Sequence, residues 1–202
     1  MWGIRSPFFG SILDYYFEIT AYLFQALALA MVPFSVALYS SAYRCIEMNE
    51  SFEIGIFFSF FQGGLLLLGW LIGYALSGYF SSLAFPVASM IFLFIGIKLF
   101  SESRKPVPEK RTYPSRNIRL LIGFSVAISI NAFLVGIGNG LIESNWMIMA
   151  ASLVFMTYLF ALLGIRIGKK GRYKTARSSE IIGGVIMLAM SVFMIVQYIK
   201  MV

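Results

Sequence analysis

Polar and apolar positions along this chain fall into long blocks. Six stretches carry almost no charge: 19–43, 54–80, 83–101, 118–142, 145–165 and 181–200. Each is about 18 residues or longer, the length an α-helix needs to cross hydrocarbon. None shows the alternation over roughly ten residues that marks an outer-membrane barrel strand. The pattern predicts an all-α polytopic membrane protein with six transmembrane helices and nearly the whole chain embedded.

One stretch interrupts this regime. "SRKPVPEKRTYPSRN", Ser103 to Asn117, is polar and carries prolines. It leaves three predicted helices on either side, and the two sides resemble each other. "LLGWLIG", Leu67 to Gly73, matches "LLGIRIG", Leu162 to Gly168, with glycines at the same spacing. An odd number of spans per half makes the second half enter from the opposite face, so two inverted three-helix repeats are expected. The expected organisation is an interfacial extension (1–18), a first repeat (19–102), a basic linker (103–117) and a second repeat (118–202). Gly69 with Gly73, Gly136 with Gly140 and Gly164 with Gly168 are small-xxx-small pairs that let helix backbones approach closely. Packing within the chain is the expected use, with a homodimer face as the alternative.

Composition supports lipid as the solvent. The chain is 59% hydrophobic and only 12% charged, too little charge to cover a soluble surface. Its net charge of +7 is unevenly placed. Arg44, Arg104, Lys105, Lys110, Arg111, Arg116, Arg119, Arg166, Lys169, Lys170, Arg172, Lys174 and Arg177 all fall on one side of the predicted spans, Arg5 and Lys200 on the other. By the positive-inside rule the first side is cytoplasmic and both termini lie outside a bacterial inner membrane. Anionic lipid, not nucleic acid, is the partner these loops imply. The opening "MWGIRSPFFGSILDYYFE" lacks a signal-peptide pattern, and its aromatics suit a segment lying at the interface. With one cysteine, Cys45, and no histidine, a Cys/His metal cluster and an intramolecular disulfide are excluded. No cofactor is implied. Without a nucleophile–base pair the chain is not expected to be an enzyme.

Candidate chemistry sits where the halves correspond. "AMVPFSVAL", Ala30 to Leu38, lies over "SINAFLVGI", Ser129 to Ile137, so that Phe34 meets Phe133 and Val32 meets Asn131. Pro33 has no N–H, so the carbonyl of Leu29 loses its helical partner, and Ser35 and Gln62 are the plausible donors. A kink and an ion site are both open readings of that break. Asn131 can bridge helices or line a pathway. Gln62 and Thr157 each precede the first glycine of their motif by seven residues. Pro33, Ser35, Gln62, Ser129, Asn131 and Thr157 form the candidate substrate-binding cluster, and all are neutral. All nine acids, Glu180 among them, are expected at span ends or in loops. The methionines are assigned to packing.

These segments resemble the MntP-type manganese efflux pump family of the lysine-exporter-like superfamily. "FFQGGLLLLGWLIG", Phe60 to Gly73, is similar to the family's second-helix signature; "AMVPFSVAL" and "SINAFLVGIG" are similar to its paired motifs, and "GIKLFSE" to the end of its third helix. The resemblance covers about residues 22 to 200 and implies six helices in two repeats around a cation site. The aspartates that the family carries at that site are Val32 and Asn131 here. No metal ligand is therefore assigned with assurance. The expected function is a divergent cation or small-solute transporter with weakened or lost manganese export. A non-transporting accessory subunit, bound to another membrane protein, is the alternative.

Overall fold

The computed structural model describes residues 12–43, 46–80, 83–104, 118–170 and 174–201. They form six α-helices: α1 (Ile12–Tyr43), α2 (Met48–Ser77), α3 (Ala84–Arg104), α4 (Ile118–Leu141), α5 (Trp146–Gly168) and α6 (Lys174–Met201). Every helix contains a window long and apolar enough to cross a membrane. Residues 1–11 of the expected extension, most of the linker, and Cys45 lie outside the described residues.

Three helices start about two turns earlier than their apolar blocks: α1 at Ile12, α2 at Met48 and α6 at Lys174. Charge marks where a helix leaves hydrocarbon, not where its backbone hydrogen bonding stops. The polar first turns of α2, with Glu50 and Glu53, and of α6, with Arg177 and Glu180, are therefore helical. For α6 this has a chemical consequence, because Glu180 becomes part of the spanning helix.

The strongest packing pairs are α2 with α4, α1 with α5 and α3 with α6, followed by α1 with α6, α2 with α5 and α3 with α4. Exchanging α1 for α4, α2 for α5 and α3 for α6 leaves this list unchanged. From Ala28 to Ser41, α1 is buried on every side, whereas α4 leaves Leu120, Ile122, Val126 and Ile130 exposed. A helix apolar all round is stable only when neighbours or lipid surround it. The outward residues of the other helices, among them Phe60, Leu68, Leu71, Met90, Phe94, Phe155 and Val192, form the apolar exterior that a bilayer requires.

Backbone proximity explains the glycines. A Cβ at Gly69 would collide with the carbonyl oxygen of Phe133, and one at Gly73 with that of Ile137. From the facing helix, Gly136 abuts the carbonyl of Leu66 and Gly140 that of Trp70. In the α1–α5 pair, Gly164 abuts the carbonyl of Phe34 and Gly168 that of Leu38. Phe34 and Leu38 stand where Phe133 and Ile137 stand in the other half. In lipid there is no hydrophobic drive between helices, so this close van der Waals fit is a main source of association energy.

Candidate functional site

Pro33 sits inside an unbroken α1. The Leu29 carbonyl that it orphans accepts a hydrogen bond from Gln62 Nε2 on α2 at 3.3 Å. Gln62 Oε1 in turn accepts from Thr157 Oγ1 on α5. Both side chains are fully buried. Gln62 is thus spent on tying three helices together: its amide nitrogen satisfies the proline-freed carbonyl, and its oxygen receives the hydroxyl of the residue matching it in the second half.

The second half of the cluster divides differently. Ser129 Oγ donates to the carbonyl of Ser125, and Ser125 Oγ to that of Leu121, each at 2.7 Å within α4. Such back-bonding satisfies the hydroxyl proton within the helix and leaves only the oxygen lone pairs for a ligand. Asn131 Oδ1 instead accepts from Lys98 Nζ on α3 at 2.7 Å. An ammonium therefore occupies the acceptor side of Asn131.

Ser35 leads to the largest departure from expectation. Its Oγ lies 2.8 Å from Glu180 Oε1 and 2.9 Å from the carbonyl of Val32. Glu180 is only 4% exposed. Glu180 stands near a span end as expected, three residues inside a span that begins at Arg177, but packing of α6 on α1 buries its carboxylate against Ser35. The physical cause is the helical face of α6. Glu180, Gly183, Gly184, Met187, Ser191 and Met194 are all buried and recur at intervals of three and four. Gly183 lets this face settle on the Ala28 carbonyl and Met31 of α1. That periodicity is visible in the sequence, but it is cut when the span is started at 181. Lys98 was legible as a charge inside a predicted span, which by default marks function.

The six sequence-derived residues thus belong to four groups. Pro33, Gln62 and Thr157 make a closed structural tie. Ser35 joins Glu180, and Asn131 joins Lys98. Ser129 turns back on its own helix. Among the described residues no group of three or more Cys, His, Asp or Glu side chains could hold a metal ion. The bundle instead holds a buried carboxylate, a half-buried ammonium, and neutral oxygens beside them.

Intramembrane ionisable residues are costly, and a bundle of six spanning helices that retains a buried carboxylate and a half-buried ammonium has the build of a polytopic membrane transporter. The sequence model of the family described as "Putative manganese efflux pump" matches residues 45–195, and the chain belongs to that family. Among its relatives, "Putative manganese efflux pump MntP 1" of Wolinella succinogenes is 32% identical, over 82% of this chain and 91% of its own length. "Putative manganese efflux pump MntP" of Methanosphaera stadtmanae is 31% identical, over 81% and 91%. The Gloeothece citriformis protein of that name is 26% identical, over 90% and 97%. No solved structure matches the chain.

Proposed function

We propose that this membrane transporter exports a cation, manganese being the first to test because that is what its relatives' names state. Glu180 on α6 is the carboxylate of its pathway. The supporting observation is the buried Glu180–Ser35 contact beside Val32 and Pro33. The expectation of weakened manganese export rested on the replacement of both family aspartates by Val32 and Asn131, and Glu180 adds a buried carboxylate near the first of these positions. A carboxylate supplied from α6 can offset part of the dehydration cost of a divalent ion at the α1 position that carries none. The Ser35 hydroxyl lies between the Glu180 carboxylate and the Val32 carbonyl, 2.8 Å from the first and 2.9 Å from the second.

An inverted-repeat relation of the two halves fits the same reading. It is supported by the equivalent contacts Gly69–Phe133 with Gly164–Phe34, and Gly73–Ile137 with Gly168–Leu38. The Gln62–Thr157 pair joins two matched residues, as a pseudo-two-fold axis running between α2 and α5 would require. The accessory-subunit alternative has no such observation in its favour.

The test is expression in a manganese-sensitive, exporter-deficient bacterium. The wild type should restore growth and lower cell manganese, and Glu180→Gln, which keeps the shape and removes the charge, should reduce efflux at least tenfold. A wild type that exports nothing, or a Glu180→Gln variant equal to it, overturns the proposal.

A further inference from the structure

At the end of the bundle where α2 and α4 finish and α5 begins, a cavity of about 720 Å³ opens between helices. Glu18, Gln25, Trp70, Asn139, Glu143 and Ser144 contribute to its wall. We propose that this cavity is a second cation site, for a hydrated hard divalent ion, distinct from the Glu180 position. It deepens the transport reading by giving the pathway a station at its far mouth. Gln25 and Ser35 are ten residues apart on α1, about 15 Å of helix rise, so the two sites are separate.

The first support is an orphaned oxygen. Asn139 is fully buried, and its Nδ2 donates to Gln25 Oε1 at 2.9 Å and to the Val135 carbonyl at 3.0 Å. A backbone carbonyl can only accept, so the amide nitrogen must face Val135 and the orientation of the side chain is settled. Asn139 Oδ1 is then left buried with no partner. Such an acceptor costs about 1–3 kcal/mol unless something supplies positive charge or a donor. Asn139 and Gln25 both belong to the wall of the cavity, and a cation held there places positive charge beside this oxygen.

The second support is charge. Glu18 of α1 and Glu143 of the α4–α5 turn bring two carboxylates to the same cavity, and no Lys or Arg appears among the described residues lining it. Glu143 holds its place against a backbone preference: its φ is +54°, the left-handed region where glycine is usual. Glu143 N donates to the Gly140 carbonyl and Ser144 N to that of Asn139, which closes α4 in a Schellman turn. Ser77 Oγ shares its proton between the Tyr74 carbonyl at 2.9 Å and Glu143 Oε1 at 3.1 Å, which puts the carboxylate beside α2. Carboxylate and amide oxygens in a roomy cavity suit a partly hydrated hard cation.

Equilibrium binding of Mn2+ to the full-length protein in nanodiscs tests this, with the free ion read by electron paramagnetic resonance. In a Glu180→Gln background, Mn2+ binding should persist and Ca2+ should compete for it. Adding Glu18→Gln and Glu143→Gln should weaken it at least tenfold, and Asn139→Leu several-fold. Glu18 and Glu143 are exposed, so the carboxylate pair carries the test should the leucine variant not fold. Absence of binding in Glu180→Gln, or equal binding with and without the two surface glutamates, overturns the site. The efflux assay reads separately. A wild type that shows no efflux yet keeps this binding rejects the transport proposal and leaves the cavity site. Normal efflux with binding indifferent to the two glutamates does the reverse.

Discussion

Proline at position 33 removes one N–H from α1, and Gln62 of α2 replaces it. The replacement makes a testable coupling. Gln62→Leu strands the Leu29 carbonyl and the Thr157 hydroxyl in a region without water, at an expected loss of about 1–3 kcal/mol. Pro33→Ala restores a backbone donor to Leu29, so part of what Gln62 supplies becomes redundant. The cost of Gln62→Leu should therefore be smaller by about 1 kcal/mol in a Pro33→Ala background, read from denaturation of the purified protein in mixed micelles. Additive losses would show that the Gln62–Leu29 bond contributes nothing. Glu143 offers a second residue-scale test. Glycine removes the cost of the left-handed backbone, so Glu143→Gly should raise stability by up to about 1 kcal/mol, while weakening Mn2+ capture at the cavity. A variant that is less stable than the wild type would place the glutamate's value in the turn rather than in the cavity.

Between helices, the glycines separate packing roles that the sequence pattern cannot. Gly64 and Gly69 both lie on α2, yet a Cβ at Gly64 meets nothing within 4 Å, whereas one at Gly69 meets the Phe133 backbone. Gly64→Ala should be neutral or slightly stabilising, because alanine is the better helix former. Gly69→Ala must push α2 from α4 and should cost about 1–3 kcal/mol, in the range of other overpacked interiors. Equal stability of the two variants in micelles would mean that α2 and α4 are not in backbone contact. The buried face of α6 follows the same logic: Gly183 brings the helix onto α1, close enough for Glu180 to reach Ser35, and Gly184 brings it onto Gly96 and Phe100 of α3.

The whole molecule is polarised along its helices. Arg104, Arg119, Arg166, Lys169, Lys170 and Arg177 cluster where α3 and α5 end and α4 and α6 begin. At the opposite end stand Glu18 and Glu143, with Trp70 and Trp146 at a ring separation of 6.3 Å, as interface aromatics do. The orientation expected from this charge is a cytoplasmic basic end and an external carboxylate-bearing cavity. Reporters inserted at Lys170 and Ser144 should score as cytoplasmic and external respectively. The reverse result, or the same side for both, would reject the orientation.

Six spans, their approximate limits and the close-packing glycines were legible in the sequence, because transfer into lipid and backbone proximity each depend on residue type and local spacing. The partner that Pro33 requires was legible as well: a missing N–H predicts a donor, and Gln62 was one of two candidates named. The family was legible from motif spacing. What the sequence left open was which side chains meet. Ser35 and Glu180 are 145 residues apart and Lys98 and Asn131 are 33 apart, and nothing local distinguishes these pairs from others. The charged first turns of α6 read as loop because hydropathy reports the edge of the hydrocarbon, while the helix continues past it. Only the packing of α6 on α1 turned an acid at a presumed span end into a buried carboxylate, since burial is a property of the neighbours and not of the residue.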